Sequence, residues 1–97
     1  MNYLTRFNLS FDDIKEIENY FNKDIREKFI FMEDTVVEIL SYLNSIGIKN
    51  IKDLIMNRPD ICFMKLNNLK EKIDKFDVNL IKYIIENDIN SLMNFEI

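Results

Sequence analysis

An internal repeat limits what this chain can fold into more than any other feature. Residues 43–63 carry Leu43, Ile46, Ile48, Ile51, Leu54, Ile55, Cys62 and Phe63, and thirty residues later apolar side chains return as Ile73, Phe76, Val78, Ile81, Ile84, Ile85, Leu92 and Met93. A fixed period of this length marks helical arrays, in which each unit is too small to bury its own apolar face and must stack on a neighbour. Within each copy the apolar residues recur three and four apart, the spacing of one helix face. A single Gly and a single Pro leave almost no turn chemistry for β-hairpins, which need Gly or Asn at positive φ. The expected fold is all-α: a small right- or left-handed stack of five to seven short helices, forming two to three repeat units.

Local signals place the helices. Ser10 with Asp13 three residues on is a capping pattern that starts a helix at Phe11, with Phe11, Ile14, Ile17 and Phe21 as its apolar stripe and an end near Asn22. A weaker segment with Ile25, Phe29 and Ile30 follows, capped by Asp24. Asp34 or Thr35 opens a stronger helix bearing Val36, Val37, Leu40 and Leu43, and Gly47 stands where a left-handed C′ residue belongs. Asn50 with Asp53 caps the next short helix, which must stop by Arg58 because the residue before a proline avoids the helical region. Pro59 opens another, Asn67 or Asn68 caps the helix of Leu69, Ile73 and Phe76, and Asp77 caps the one carrying Leu80, Ile81, Ile84 and Ile85, which Asn87 ends. One domain is expected over residues 1–97. Residues 36–97 form two repeat-like units, and 1–35 an atypical N-terminal unit in which Leu4, Phe7 and Leu9 match Leu43, Ile46 and Ile48.

The run Leu43-x-x-Ile46-Gly47-Ile48-x-x-Ile51-x-x-Leu54-Ile55-x-x-x-Pro59, with Leu66 and Leu69 beyond it, resembles the repeat of the mitochondrial transcription termination factor (mTERF) family. That repeat has two helices and a shorter third, with a Leu-Gly-apolar turn and a proline opening the third. The second copy departs from it, with Asp77 in the glycine position and Ile89 in the proline position. The resemblance implies a stack of short helices whose concave basic face binds nucleic acid. A fainter similarity, to helix-hairpin-helix DNA-binding modules, rests on the same Gly47-Ile48 segment.

Charge cuts against broad nucleic-acid coating, since the chain carries a formal net charge of −4 and phosphate binding relies on Lys and Arg. The charge is uneven, however. Residues 1–48 hold five basic and nine acidic side chains, while 49–75 hold seven basic and four acidic. A phosphate-binding strip is conceivable from Lys49, Lys52, Arg58, Lys65 and Lys72. The alternative is a solvated helix face with pairs such as Glu71 and Lys75.

Catalytic chemistry finds little to work with. There is no His, the commonest general base, and Cys62 sits in an apolar run where a thiol acts as a small buried hydrophobe. One Cys without His provides no zinc site, and no Gly-rich loop cradles a nucleotide. The acid clusters Asp12-Asp13-Glu16 and Glu33-Asp34-Glu38 fall at helix starts, where capping and the dipole account for them, and neither has calcium-loop spacing. We therefore expect a non-enzymatic interaction module without cofactor, metal or small-molecule substrate. It would recognise a protein partner or form a homodimer through the C-terminal apolar residues Leu92, Met93, Phe95 and Ile97, with DNA or RNA on the basic strip as the alternative. No apolar run approaches the ~20 residues that span a bilayer, and the single cysteine and the polar start of the chain lead us to expect a cytoplasmic location.

Overall fold

Ser10 and Asp13 satisfy each other's backbone donors. The Ser10 hydroxyl accepts from the Asp13 N–H and the Asp13 carboxylate accepts from the Ser10 N–H, both at 3.0 Å, so the first helix begins at Phe11 as its sequence requires. The computed structural model describes residues 1–97 and contains α1 (Phe11–Tyr20), α2 (Lys23–Phe31), α3 (Glu33–Ser45), α4 (Ile51–Asn57), α5 (Pro59–Cys62), α6 (Leu66–Asp74) and α7 (Val78–Asn87). A 3₁₀ helix stands at each end, at Asn2–Phe7 and Ile89–Phe95, and there is no strand. The N-terminal 3₁₀ helix has no counterpart in the expected elements. No helix is long and apolar enough to cross a membrane.

The turns follow from local chemistry, with three departures. Gly47 adopts φ 94°; its N–H donates to Asn44 O and the Ile48 N–H donates to Leu43 O. That bonding is a Schellman motif, and it brings buried Ile48 against buried Leu43. Pro59 opens α5, where its missing N–H has no partner to lose. The Asp77 carboxylate accepts from the Asn79 N–H and caps α7. The cap of α2, by contrast, is Asn22 rather than Asp24, because Asn22 is the residue held extended ahead of the helix, where its side chain can reach the Ile25 N–H. Asn50 precedes α4 without capping it; its amide donates instead to Ile85 O in the last turn of α7 at 2.9 Å. Lys65, not Asn67 or Asn68, precedes α6, and the two asparagines lie inside its first turn.

Twenty-three buried residues form one cluster, and all are apolar or Cys. Burying a Leu or Ile side chain contributes roughly 1.5–3 kcal/mol, so each is a large fraction of a typical ~5–15 kcal/mol total. Helix α3 lies at the centre, packed on the N-terminal 3₁₀ helix, α2, α5 and α6, while α4 packs on α1, α5 and the C-terminal 3₁₀ helix. Three stripe positions turn outward. Phe11 is 71% exposed, because it is the first residue of α1 and the buried face begins a turn later at Ile14; Ile30 is 58% exposed, because Phe29 takes the inward position on α2; and Leu80 is 43% exposed, because Ile81, Ile84 and Ile85 take the inward positions on α7.

Positions thirty residues apart occupy matching settings. Leu43 and Ile73, Ile51 and Ile81, Leu54 and Ile84, Ile55 and Ile85, and Cys62 and Leu92 are all buried. The residue after α4, Arg58, has φ −138° and ψ 62°; the residue after α7, Asp88, has φ −157° and ψ 64°. Just before them Asn57 donates its amide to Asp53 O, and Asn87 donates to Tyr83 O.

Candidate functional site

The basic strip is contiguous in sequence but not in its partners. Lys52, on α4, reaches across to α1 and is held by Asp13 at 3.0 Å and by Glu16. The hydrogen bonds that Lys52 donates to Glu16 and then to Asp13 raise its pKa, while the Ser10 backbone N–H, followed by Lys52, keeps Asp13 below the usual carboxylate range. Asp13 thus both caps α1 and fastens it to α4. Arg58 forms a two-pronged pair with Asp60 at 3.0 and 2.9 Å, which draws the Asp60 pKa down, and it also donates to Ile97 O at 2.7 Å. Its remaining Nη1 is enclosed with no acceptor. Lys72 donates to Glu96 O. The structure therefore brings Arg58 and Lys72 together on the C-terminal turn and sends Lys52 to α1. Lys49 and Lys65 are exposed and make no ion pair or hydrogen bond.

Lys65 borders a shallow cleft of about 390 Å³ between α3 and α6, lined by Thr35, Glu38, Leu66, Asn67 and Asn68. Small-molecule pockets are mostly apolar, and Leu66 is the one apolar side chain in this lining.

The C-terminal residues divide as well. Leu92 is fully buried and Ile97 nearly so. Phe95 is half-buried with its ring edge-on to Phe76 at 5.0 Å. Only Met93 is open, at 71% exposure. The segment expected to lack a cover is folded back onto α7 and α4, which removes Leu92 and Ile97 from any docking face.

Cys62 is fully buried, and burial pushes its thiol up to about 12. At neutral pH it is a protonated core side chain rather than a nucleophile. The carboxylates do not converge: no three Asp, Glu, His or Cys side chains are placed to share a metal ion.

Eight large apolar side chains provide the open surface, among them the stripe positions Phe11, Ile30 and Leu80. At the N-terminal end of the fold these are Phe11, Tyr20, Ile30 and Phe31; on α7 and beyond they are Val78, Leu80, Tyr83 and Met93. Beneath the first group a chain of rings, Tyr20 to Phe21 to Phe29 to Phe63, ties α1 and α2 to the end of α5 at centroid distances of 4.9–6.0 Å. The Tyr3 hydroxyl donates to Phe29 O, and burial raises its pKa. Sequence periodicity alone does not reveal these exposed positions, because it counts apolar residues and does not say which of them a neighbour covers. No family model, curated protein or solved structure matches this chain.

Proposed function

We propose that this chain is a non-catalytic helical module that recognises a protein partner or a second copy of itself. The observation that carries the reading is the set of large apolar side chains left open on a chain whose core is complete without them: Phe11, Phe31 and Met93 are each more than two-thirds exposed. The reading takes residues 36–97 as two stacked units of the mTERF-like kind and 1–35 as an atypical end unit, on the strength of the matched burial and backbone settings thirty residues apart. It places the protein in the cytoplasm, where an unpaired buried thiol such as Cys62 is at home.

Nucleic acid is the second reading. It draws on Lys49 and Lys65, whose ammonium groups are free, and it is the weaker because Lys52, Arg58 and Lys72 are engaged within the chain. The test is fluorescence anisotropy of labelled single-stranded and duplex DNA and RNA at low salt, where electrostatic attraction is strongest, on protein whose mass in solution has been measured. The expected result is no binding. Micromolar or tighter binding that falls with salt and is lost in a Lys49→Gln, Lys65→Gln double variant would reverse the order of the two readings.

A further inference from the structure

At the corner where α2 meets α3, the surface carries two adjacent large apolar residues, Ile30 at 58% and Phe31 at 83% exposure. Glu27 precedes them by one turn on the same helix face, and Glu33 and Asp34 follow in the first turn of α3. Nearby cations are spoken for. Arg26 turns inward and donates to Glu18 O and Phe21 O at the end of α1, Lys28 lies over the Phe63 ring at 5.6 Å, and Lys23 pairs with Glu27. Glu33, Asp34 and Asp24 have no ion-pair partner. The corner is therefore an apolar spot flanked by carboxylates, with Glu33 and Asp34 unpaired and Glu27 held by Lys23.

A second copy of this chain fits that spot poorly. The other open apolar side chains also stand beside carboxylates: Phe11 next to Asp12, with Lys15 one turn on; Val78, Leu80 and Tyr83 among Asp77, Glu86 and Asp88, with Lys75 ahead of them and Lys82 turned over Gly47; and Met93 between Asp88 and Glu96. Pairing apolar surface with apolar surface between two copies would set carboxylate against carboxylate, and like charges across an interface are repelled. The cationic surface of Lys65 and Lys70, on and beside α6, carries no exposed large apolar side chain. Polyanions are repelled from the corner for the same reason.

We infer that the Ile30–Phe31 corner docks a cationic amphipathic helix of another protein, its apolar stripe on Phe31 and Ile30 and its Lys or Arg residues toward Glu27, Glu33 and Asp34. This rests on the reading of the chain as a protein-recognition module and names the chemistry of the partner. The mode is a helix laid on an apolar surface and flanked by opposite charge.

The probe is a short amphipathic helix made of Leu and Lys, titrated into the isotope-labelled full chain, with two controls: the same peptide with Glu for Lys, and the Lys peptide with its Leu order scrambled. Amide shifts should centre on residues 27–34. Phe31→Ala should weaken binding about tenfold, the scale of an anchor residue at a small interface. The Glu33→Gln, Asp34→Asn double variant should weaken it several-fold and flatten its salt dependence. Since these side chains are exposed, circular dichroism should show the variants folded. Equal binding of the Glu peptide at the same corner would overturn the cationic assignment. Shifts confined to α7 would overturn the placement while leaving protein recognition standing. Failure of every peptide would overturn the proposal, and if nucleic acid binds instead, the recognition reading fails with it.

Discussion

The two copies of the repeat agree where they face inward and part where they face outward. Ile48 and Val78 stand at the same place in the pattern, yet Ile48 is fully buried and Val78 is 37% exposed. Phe63 is half-buried between the Phe29 ring and the Lys28 ammonium, whereas its counterpart Met93 lies open. The first copy has α1, α2 and α3 around it; the second has α6 on one side, α4 on another and its own C-terminal turn. Equivalent sequence positions therefore take their energies from their neighbours. The middle of the chain is well covered, and its C-terminal end is covered only as far as Leu92, Phe95 and Ile97 reach.

The most forceful way to break the comparison is to place a charge at its ends. Ile48→Asp buries an unpaired carboxylate, a cost of several kcal/mol that rivals the whole stability of a domain, typically ~5–15 kcal/mol; loss of the circular dichroism signal at 25 °C is expected. Val78→Asp puts the acid on a partly open first helical position, where the dipole favours it, and the urea midpoint should shift by less than the equivalent of about 1 kcal/mol. A matched midpoint for the two variants would end the idea that cover, not pattern, separates the copies.

Truncation sharpens the same contrast at smaller scale. Phe63→Ala should cost about 2 kcal/mol, below the ~3–5 kcal/mol of a fully buried Phe, because only part of its ring is covered. Met93→Ala should stay within about 0.5 kcal/mol. Equal losses in thermal unfolding would mean that Met93 is packed in solution.

The punctuation offers a narrower contrast, where Gly47 and Asp77 hold equivalent positions. Gly47→Ala forces φ 94° on a residue with a Cβ and brings that atom within 2.7 Å of Lys82 Nζ. The lysine tip can swing away, so the backbone sets the cost at about 1–2 kcal/mol. Asp77→Ala forfeits a helix cap worth about 1 kcal/mol. If Lys82→Ala fully restores the Gly47→Ala variant, the clash and not the dihedral was limiting.

What the sequence made legible was whatever is settled within four residues. Ser10 with Asp13, Gly47, Pro59 and Asp77 each mark an element boundary because the hydrogen bond or dihedral they supply is local, and Cys62 reads as core from its apolar run. Two failures are local, since Asn22 and not Asp24 caps α2 and Lys65 precedes α6; the rest are tertiary. Asn50 has a good cap sequence, but its best partner, Ile85 O, lies 35 residues away. Lys52, Arg58 and Lys72 look like one strip because they are close in sequence, yet their partners lie on α1 and on the C-terminal turn. Ile30 reads as core because an amphipathic count cannot tell that Phe29 alone fills the space beside Tyr3 and Phe63.

The side-chain ties across the fold have a directional consequence. Lys52 joins α4 to Asp13 and Glu16, Asn50 joins the start of α4 to α7, Arg58 joins the start of α5 to Ile97, and Lys28 reaches Phe63. No side-chain hydrogen bond or cation–π contact runs directly between residues 1–31 and 66–97; the polar ties of each end run to the middle. The chain is thus built like a clasp with two independent arms on one spine, in which either arm can loosen, exchange its amides or adapt to a ligand while the other keeps its grip.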